Sequence, residues 1–188
     1  MTNLILPQPG SLSDGAATLR PWHEDFAQAL VERINDQSVA EFMDTVPQPY
    51  SLADAHEFIE RCHQGWLTGD STNFAIFVDG IEGATGGLGL HWNEREHGVA
   101  EVGYWVAADA RGRGAATAAT RLAARWAFEA APDLERLQLR ADEQNVASNR
   151  VADKAGFTRE GVLRSSRYNV RLRRRVDFVI WSLLRDEL

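Results

Sequence analysis

The segment that most constrains the fold of this chain is residues 101–116. Residues 101–106 (Glu-Val-Gly-Tyr-Trp-Val) have the composition of a β-strand, and residues 112–128 have the spacing of a long helix. The junction, residues 111–116, reads Arg-Gly-Arg-Gly-Ala-Ala. A strand, a glycine-rich turn and a helix in this order predict a central sheet with a helix packed against it.

The same junction has the properties of an anion-binding site. Glycine lets a ligand approach the backbone closely, and the first turn of a helix offers unpaired N–H groups and a positive dipole end. Arginine side chains add positive charge, and small side chains leave room for a phosphate or diphosphate. The predicted binding residues are Arg111, Gly112, Arg113, Gly114, Ala115, Ala116 and Thr117.

Two common nucleotide-binding motifs fit this junction poorly. A Walker loop needs a Gly-Lys pair, and the chain contains none. A dinucleotide-binding turn needs a third glycine where this chain has Thr117, and it normally opens the first βα unit of its domain.

The other segments predict short strands and helices on both sides of this unit. Strands are expected at residues 17–21, 73–78, 84–92, 99–106, 134–140, 157–170 and 176–184, and helices at 23–35, 39–43, 52–67, 112–128 and 145–154. The fold class is therefore α/β (α+β): one mixed, mostly antiparallel sheet with helices on both faces. Residues 1–14 are expected to form a flexible tail and residues 15–188 a single domain.

Composition excludes several classes of function. The net charge of −7 argues against binding to nucleic acid or to an anionic membrane. No apolar run approaches the roughly 20 residues that span a bilayer, and the N-terminus does not resemble a signal peptide. The single cysteine, Cys62, fits a reducing compartment, so we expect a cytoplasmic protein.

Two further clusters have more than one reading. His56, Glu60 and His63 share a helix face, but their spacing matches no metal motif, so we expect a solvated face and no metal. Arg171, Arg173 and Arg175 would share one face of a strand, where they could bind an anion or discourage edge-to-edge aggregation.

Taken together, the motifs resemble the GNAT acyltransferase superfamily, in particular its RimJ/RimL branch. The resemblance rests on the strand Glu101-Val-Gly-Tyr-Trp-Val106, on Arg111-x-x-Gly114-x-Ala116, and on later motifs that cover most of the chain. These later motifs are Asn145-Val-Ala-Ser148, Gly156-Phe157, Glu160-Gly161, Leu163-Arg164 and Ser182-Leu183.

This resemblance implies a sheet that is splayed at its centre and binds acyl-CoA as a co-substrate. The pantetheine arm would pair with backbone groups of Trp105 and Val106, and Asn145 would contact the arm near the thioester. The diphosphate would lie on amides of residues 112–116, in agreement with the helix-start argument. The resemblance also suggests a homodimer.

The implied reaction is direct transfer of the acyl group to an amine. We expect the Val106 amide to bind the carbonyl oxygen, Ser148 to act as the acid toward sulfur, and Glu101 to act as the base through water, with His91 as the second candidate. Each has a simpler reading: Ser148 only binds or packs, Glu101 is a solvated or salt-bridged carboxylate, and His91 is structural.

The function expected from the sequence is therefore an N-acyltransferase, most simply an N-acetyltransferase using acetyl-CoA. Its acceptor would be a protein N-terminus or a small-molecule amine. Two alternatives stay open at this stage, namely a catalytically silent CoA-binding module and a transferase of another acyl group such as succinyl.

Overall fold

The structure, a computed structural model, describes residues 6–41, 43 and 45–188, which form an eight-stranded sheet flanked by helices. The strands are β1 (Leu12–Ser13), β2 (Thr18–Pro21), β3 (Ser71–Phe77), β4 (Gly86–Glu94), β5 (Val99–Val106), β6 (Arg136–Asp142), β7 (Thr158–Asn169) and β8 (Arg174–Leu184). The helices are α1 (Ala27–Ile34), α2 (Gln37–Ala40), α3 (Leu52–Thr68), α4 (Ala115–Ala130) and α5 (Val146–Lys154).

The sheet has the order β1-β2-β3-β4-β5-β6-β8-β7. Every neighbouring pair is antiparallel except β5 and β6, which are parallel and are joined through α4. A parallel pair needs a long crossover, and a helix after a glycine-rich turn supplies it. The predicted mixed, mostly antiparallel sheet is confirmed.

Local sequence signals account for where two of the helices begin. The predicted capping box of α3 is present, because Ser51 and Asp54 each accept a hydrogen bond from the other's backbone N–H. The start of α4 differs from the prediction at residue 112. Gly112 and Gly114 have φ angles of 75° and 79°, so the helix cannot include them and begins at Ala115.

Apolar side chains cover both faces of the sheet. On one face α4 and α5 pack against Leu88, Val102 and Leu137, all nearly inaccessible to solvent. On the other face α1 and α3 pack around Trp22 and Ala75. This alternation along each strand fixes which side chains belong to which face.

The predicted flexible tail is wrong for part of its length. Leu12–Ser13 pairs with β2 as an antiparallel strand, and Leu6 is buried in the core that α4 covers. Leucines at both positions bury apolar surface, which offsets the entropy of ordering the segment. Residues 1–5 of the predicted tail lie outside the described residues.

Candidate active site

The central feature of the sheet is a split between β5 and β6. Their ladder runs from Val99 opposite Arg136 to Glu101 opposite Gln138, after which the two strands separate. Beyond the split, β6 continues its pairing with β8 on the other side. Glu101 therefore lies at the apex of a wedge that opens toward the end of β5.

A cavity of about 700 Å³ occupies this wedge and extends to the start of α4. It brings together residues from α2, β5, the α4 start, β6, α5 and the β7–β8 hairpin. Its lining includes most of the predicted site residues, namely Glu101, Trp105, Val106, Arg111, Gly112, Gly114, Ala115, Ala116, Thr117, Asn145 and Ser148. Arg113 is exposed and lies outside this lining.

The start of α4 presents main-chain N–H groups to the cavity. Gly114 is the N-cap and contributes no side-chain hydrogen bond, so the first-turn amides have no capping partner from this residue. Arg111 lies beside this turn, where its Nε donates to the Val106 oxygen at 3.1 Å and its Nη1 donates to the Ser38 hydroxyl at 2.8 Å. Such a helix start is suited to an anion.

The edge of β5 that faces the wedge carries the backbone of Tyr104 and Val106. Ala107 N–H donates to Thr85 on the β4 side, and consecutive residues of a strand point their N–H groups to opposite edges. The Val106 N–H therefore points into the wedge. The expectation that Trp105 pairs there through its backbone is wrong, because its backbone faces β4; its side chain lines the cavity instead.

The start of α5 forms a second polar group at the cavity. Asn145 is the N-cap and its Oδ1 accepts from the Ser148 N–H at 3.0 Å. The Ser148 hydroxyl lies 2.9 Å from the Tyr104 hydroxyl. Burial raises the pKa of Tyr104 to about 12, so the phenol stays protonated at neutral pH.

Tyr104 is one of the polar residues of this cavity that were not predicted from the sequence; Arg140 and Arg150 are others. Strand alternation puts Tyr104 on the opposite face of β5 from Glu101, and the sequence alone could have predicted this placement. Its proximity to Ser148, however, depends on how α5 packs against β5, and the two residues are far apart in sequence.

The carboxylate of Glu101 is paired with two other side chains. Its Oε2 lies 2.6 Å from Nη2 of Arg140 and accepts from Asn93 Nδ2 at 2.8 Å. His91 is its cross-strand neighbour on β4. Partial desolvation lowers the pKa of His91, although the residue is solvent-exposed, and the Glu101 charge raises it by less, which favours the neutral imidazole at pH 7.

The arginine run does not form the predicted strand face. Arg171 and Arg173 lie in the turn between β7 and β8, where Arg171 donates to the Val46 carbonyl oxygen. Arg175 donates to the Ser165 oxygen at 2.7 Å. Strand β7 ends at Asn169, so the alternation assumed for residues 171–175 is interrupted. Arg167, earlier in β7, is the nearby arginine that lines the cavity.

The histidines of α3 are paired with protein groups instead of converging on one point. His63 Nε2 lies 2.9 Å from the Trp22 oxygen, and His56 pairs with Glu24, so the candidate cluster is dispersed among other partners. Among the described residues, no group of three or more His, Cys, Asp or Glu side chains is arranged to hold a metal ion. No described helix combines the length and apolarity required to cross a bilayer.

A split sheet, a wedge-shaped cavity and a helix start without a side-chain cap are together suited to an extended ligand that carries a phosphate or diphosphate. Comparison with known proteins gives the same class. Residues 17–158 match the acetyltransferase (GNAT) domain family. The chain belongs to this family, as its motifs indicated, and it is an acyltransferase of the N-acetyltransferase class.

Individual relatives agree with this assignment. The chain is 35% identical over 173 residues to a putative ribosomal N-acetyltransferase, YdaF, of Bacillus subtilis, covering 90% of this chain and 92% of the relative. RimJ of Mycobacterium smegmatis, solved with CoA-disulfide, is 25% identical with a TM-score of 0.82, covering 95% of this chain and 88% of that one. A probable acetyltransferase is 27% identical with a TM-score of 0.83, covering 95% and 98%. These likenesses support the RimJ/RimL-like branch.

Proposed function

We propose that the protein transfers the acetyl group of acetyl-CoA directly to a primary amine, with the amine approaching from one face of the split and the thiol leaving on the other. The observation that carries this proposal is the arrangement around β5. By strand alternation Glu101 shares a face with Trp105, which packs against α1 and α3, whereas Tyr104 and Ser148 belong to the face covered by α4 and α5.

Several groups along the cavity support the binding of acetyl-CoA. The N–H groups of residues 112–116 and the guanidinium of Arg111 are suited to the diphosphate, and Arg150 and Lys154 add positive charge to the lining. The wedge-facing edge of β5 offers Tyr104 and Val106 to an extended amide-bearing arm, which would pair with it as an added strand. Asn145 lines the cavity between these two regions.

Glu101 is the proposed base. An amine of the lysine type, with a pKa near 10.4, is neutral in only about one molecule in 2,500 at pH 7, whereas an α-amine near 7.7 is neutral in roughly one in six. A carboxylate at the apex of the split can take the excess proton, directly or through water, as the N–C bond forms. Its ion pair with Arg140 orients it toward the wedge.

Ser148 is the proposed acid on the opposite face. As the C–S bond breaks, the leaving sulfur gains an electron pair and takes the Ser148 proton; Ser148 takes the Tyr104 proton through the bond between them, and Tyr104 regains a proton from solvent and ends protonated. The Val106 N–H, which points into the wedge, is the proposed donor to the carbonyl oxygen as its negative charge grows. Asn145 holds the Ser148 backbone in position.

The proposal also covers the acceptor, the cellular location and the oligomeric state of the enzyme. The acceptor is a protein N-terminus or a small-molecule amine, and the description of YdaF as a putative ribosomal N-acetyltransferase supports a protein acceptor. We place the enzyme in the cytoplasm because its one cysteine, Cys62, is buried and free. Transfer needs acetyl-CoA and no metal, and the enzyme works as a homodimer, as the family resemblance suggests.

Thiol release is the direct test of the proposed reaction. Purified protein is mixed with acetyl-CoA and a panel of peptides and small amines, and free CoA is measured with a thiol reagent. Amine-dependent release with a product heavier by one acetyl group is the expected result. Binding of acetyl-CoA without release for any amine would instead favour a silent CoA-binding module, and release from succinyl-CoA alone would assign another acyl group.

A further inference from the structure

Asn149 on α5 joins three separate elements next to Ser148. Its Oδ1 accepts a hydrogen bond from Trp181 Nε1 on β8 at 3.0 Å. Its Nδ2 donates to the carbonyl oxygen of Asp142, at the end of β6, at 3.0 Å, and to that of Asn145, at the start of α5, at 2.9 Å. One amide group therefore ties the first turn of α5 to two strands of the sheet.

Local sequence gives no reason for an asparagine inside this helix. Asparagine has a low helix propensity, because its side chain competes with the backbone for hydrogen bonds. In Asn149 the oxygen and the nitrogen of the amide both have partners, and two of these partners lie on strands. Trp181 is buried, with 7% of its surface exposed, so its indole N–H would be costly to leave without an acceptor.

The side chain of Asn149 lies behind the reacting groups and not among them. Asn149 and Trp181 line a smaller surface pocket and are not among the residues that line the catalytic cavity. Ser148 and Asn145 do line the cavity. Any influence of Asn149 on the reaction must therefore act through the helix start that carries these two residues.

The position of the α5 start matters because the polar contacts of Ser148 are short. Its N–H donates to Asn145 Oδ1 at 3.0 Å, and its hydroxyl lies 2.9 Å from the Tyr104 hydroxyl. A hydrogen bond of this length is lost when its two heavy atoms separate by about 1 Å more. A misplacement of about 1 Å at a reacting group can lower a rate about a hundredfold.

We propose that Asn149 is a positioning residue for the transfer reaction. Anchored by Trp181, it holds the start of α5 so that the Ser148 hydroxyl stays within reach of Tyr104 and of the leaving sulfur. This inference rests on the proposed role of Ser148 as the acid, and it assigns the residues that keep this acid in place. Since Asn149 and Trp181 touch neither substrate, their substitution should lower kcat and leave the binding of both substrates nearly unchanged.

The kinetic test compares Asn149→Ala and Trp181→Phe with wild type. Trp181→Phe removes the indole N–H and keeps an aromatic ring, whereas Asn149→Ala removes all the hydrogen bonds of the amide. We expect kcat to fall about threefold in Trp181→Phe and about tenfold in Asn149→Ala. The acetyl-CoA dissociation constant and the KM for the amine should stay within about twofold. An unchanged kcat in Asn149→Ala would overturn the proposal.

Trp66→Phe is the matched control for stability. Trp66 is 5% exposed, packs in the same core as Trp181, and donates from Nε1 to the Asn73 oxygen at 3.3 Å, but it is not part of the cavity lining. Both tryptophan variants should unfold at lower urea concentrations than wild type, and only Trp181→Phe should lose kcat. Equal losses of kcat would assign the effect to general destabilisation and overturn the proposal.

The double variant Asn149→Ala/Ser148→Ala tests the route of the effect. Without the Ser148 hydroxyl there is no acid to position, so Asn149→Ala should cost less than about twofold in kcat in the Ser148→Ala background. Multiplicative losses would mean that Asn149 acts by another route, and would overturn the proposal. If Ser148→Ala alone keeps the wild-type kcat, the proposed acid role of Ser148 has failed, and its positioning by Asn149 with it.

Hydrogen exchange tests the anchor without any substrate. The Ser148 N–H is protected by its bond to Asn145 Oδ1, and a loosened α5 start should expose it to solvent more often. We expect this N–H to exchange about tenfold faster in Asn149→Ala than in wild type, as measured by NMR, and at the wild-type rate in Trp66→Phe. An unchanged rate in Asn149→Ala would overturn the anchor. Faster exchange in a protein that acetylates no amine would confirm the anchor and show that the proposed function had failed.

Discussion

At the start of α4 the proposed binding groups for the diphosphate are consecutive main-chain amides after Gly112, whereas at the proposed acceptor end the candidate groups are side chains from three separate strands. Glu101 and Arg140 come from β5 and β6, and His91 comes from β4. The first end depends on backbone angles in one turn, and the second depends on how distant segments pack. Substitutions should therefore affect the two ends in different ways.

The difference has a physical basis. A helix start presents its amides wherever the helix forms, so local sequence is sufficient to build an anion site. A carboxylate that must meet an incoming amine needs a charge partner to orient it, and here that partner, Arg140, is brought close by the parallel β5–β6 pair. Single side-chain deletions should thus be severe at the acceptor end and mild at the other.

The largest expected effect is at the acceptor end. Glu101→Gln removes the proposed base but keeps the size of the side chain, so kcat/KM for the amine should fall by about 10² to 10³. The acetyl-CoA dissociation constant should change little, as measured by calorimetry. Glu96→Gln, an exposed carboxylate in the β4–β5 turn, is the control and should behave as wild type. Equal activity of the two variants would remove Glu101 from the mechanism.

Gly114→Ala tests the diphosphate end through its backbone. An alanine at φ of 79° costs about 1–2 kcal/mol, and the N–H groups that follow should move away from the diphosphate. We expect the acetyl-CoA dissociation constant to rise about tenfold. The matched control is Gly80→Ala, which has the same φ of 79° and lies in the β3–β4 loop outside the cavity lining.

Both glycine variants should unfold at similarly lowered urea concentrations, because the backbone strain is the same. Only Gly114→Ala should lose acetyl-CoA affinity. If Gly80→Ala weakens binding as much, the loss reflects stability, and the assignment of the diphosphate to this turn is wrong.

Ser148 and Tyr104 test the leaving-group side of β5. Ser148→Ala and Tyr104→Phe should each lower kcat about tenfold, and the double variant should lose much less than the product of the two. Such coupling is expected because the two hydroxyls are 2.9 Å apart and act in series. Tyr168→Phe, at an exposed tyrosine of β7, is the control. If the double variant lost the full product of the two single losses in kcat, Ser148 and Tyr104 would act independently and not in series.

The smallest expected effect lies outside the cavity and concerns stability alone. The guanidinium of Arg136 and the hydroxyl of Ser182 lower the pKa of Glu160 from 4.5 to about 2. Since the folded-state pKa is depressed, this stabilisation is complete above pH 4.5 and is lost as the pH falls through about 2. The Glu160 side chain is 40% exposed, so the pair contributes no more than about 1 kcal/mol.

Urea unfolding of wild type and Glu160→Gln at pH 7, 4 and 2 measures this contribution. The difference in the free energy of unfolding should shrink toward pH 2, while Glu129→Gln on the exposed face of α4 should show no such trend. Amine kinetics at pH 7 should be unchanged in Glu160→Gln. A kinetic loss would mean that the acceptor end responds to sheet stability as well as to its own side chains.

The sequence predicted the parts of this protein that local interactions determine. The capping box of α3, the glycine-rich start of α4 and the alternation of β5 each depend on residues close together in the chain, so each could be recognised there. The same holds for the family motifs, which are short and contiguous. Errors appeared where local pattern was extended too far, as in the tail and in the strand face of the arginine run.

Tertiary structure alone decided which side chains meet on the two faces of β5. The ion pair of Glu101 with Arg140 and the contact of Tyr104 with Ser148 both join segments far apart in sequence. Their geometry follows from the separation of β5 and β6 after Glu101, which is a property of the whole sheet. The sequence of a strand predicts on which face of the sheet a side chain lies, but only the assembled sheet determines which residues of other segments it contacts.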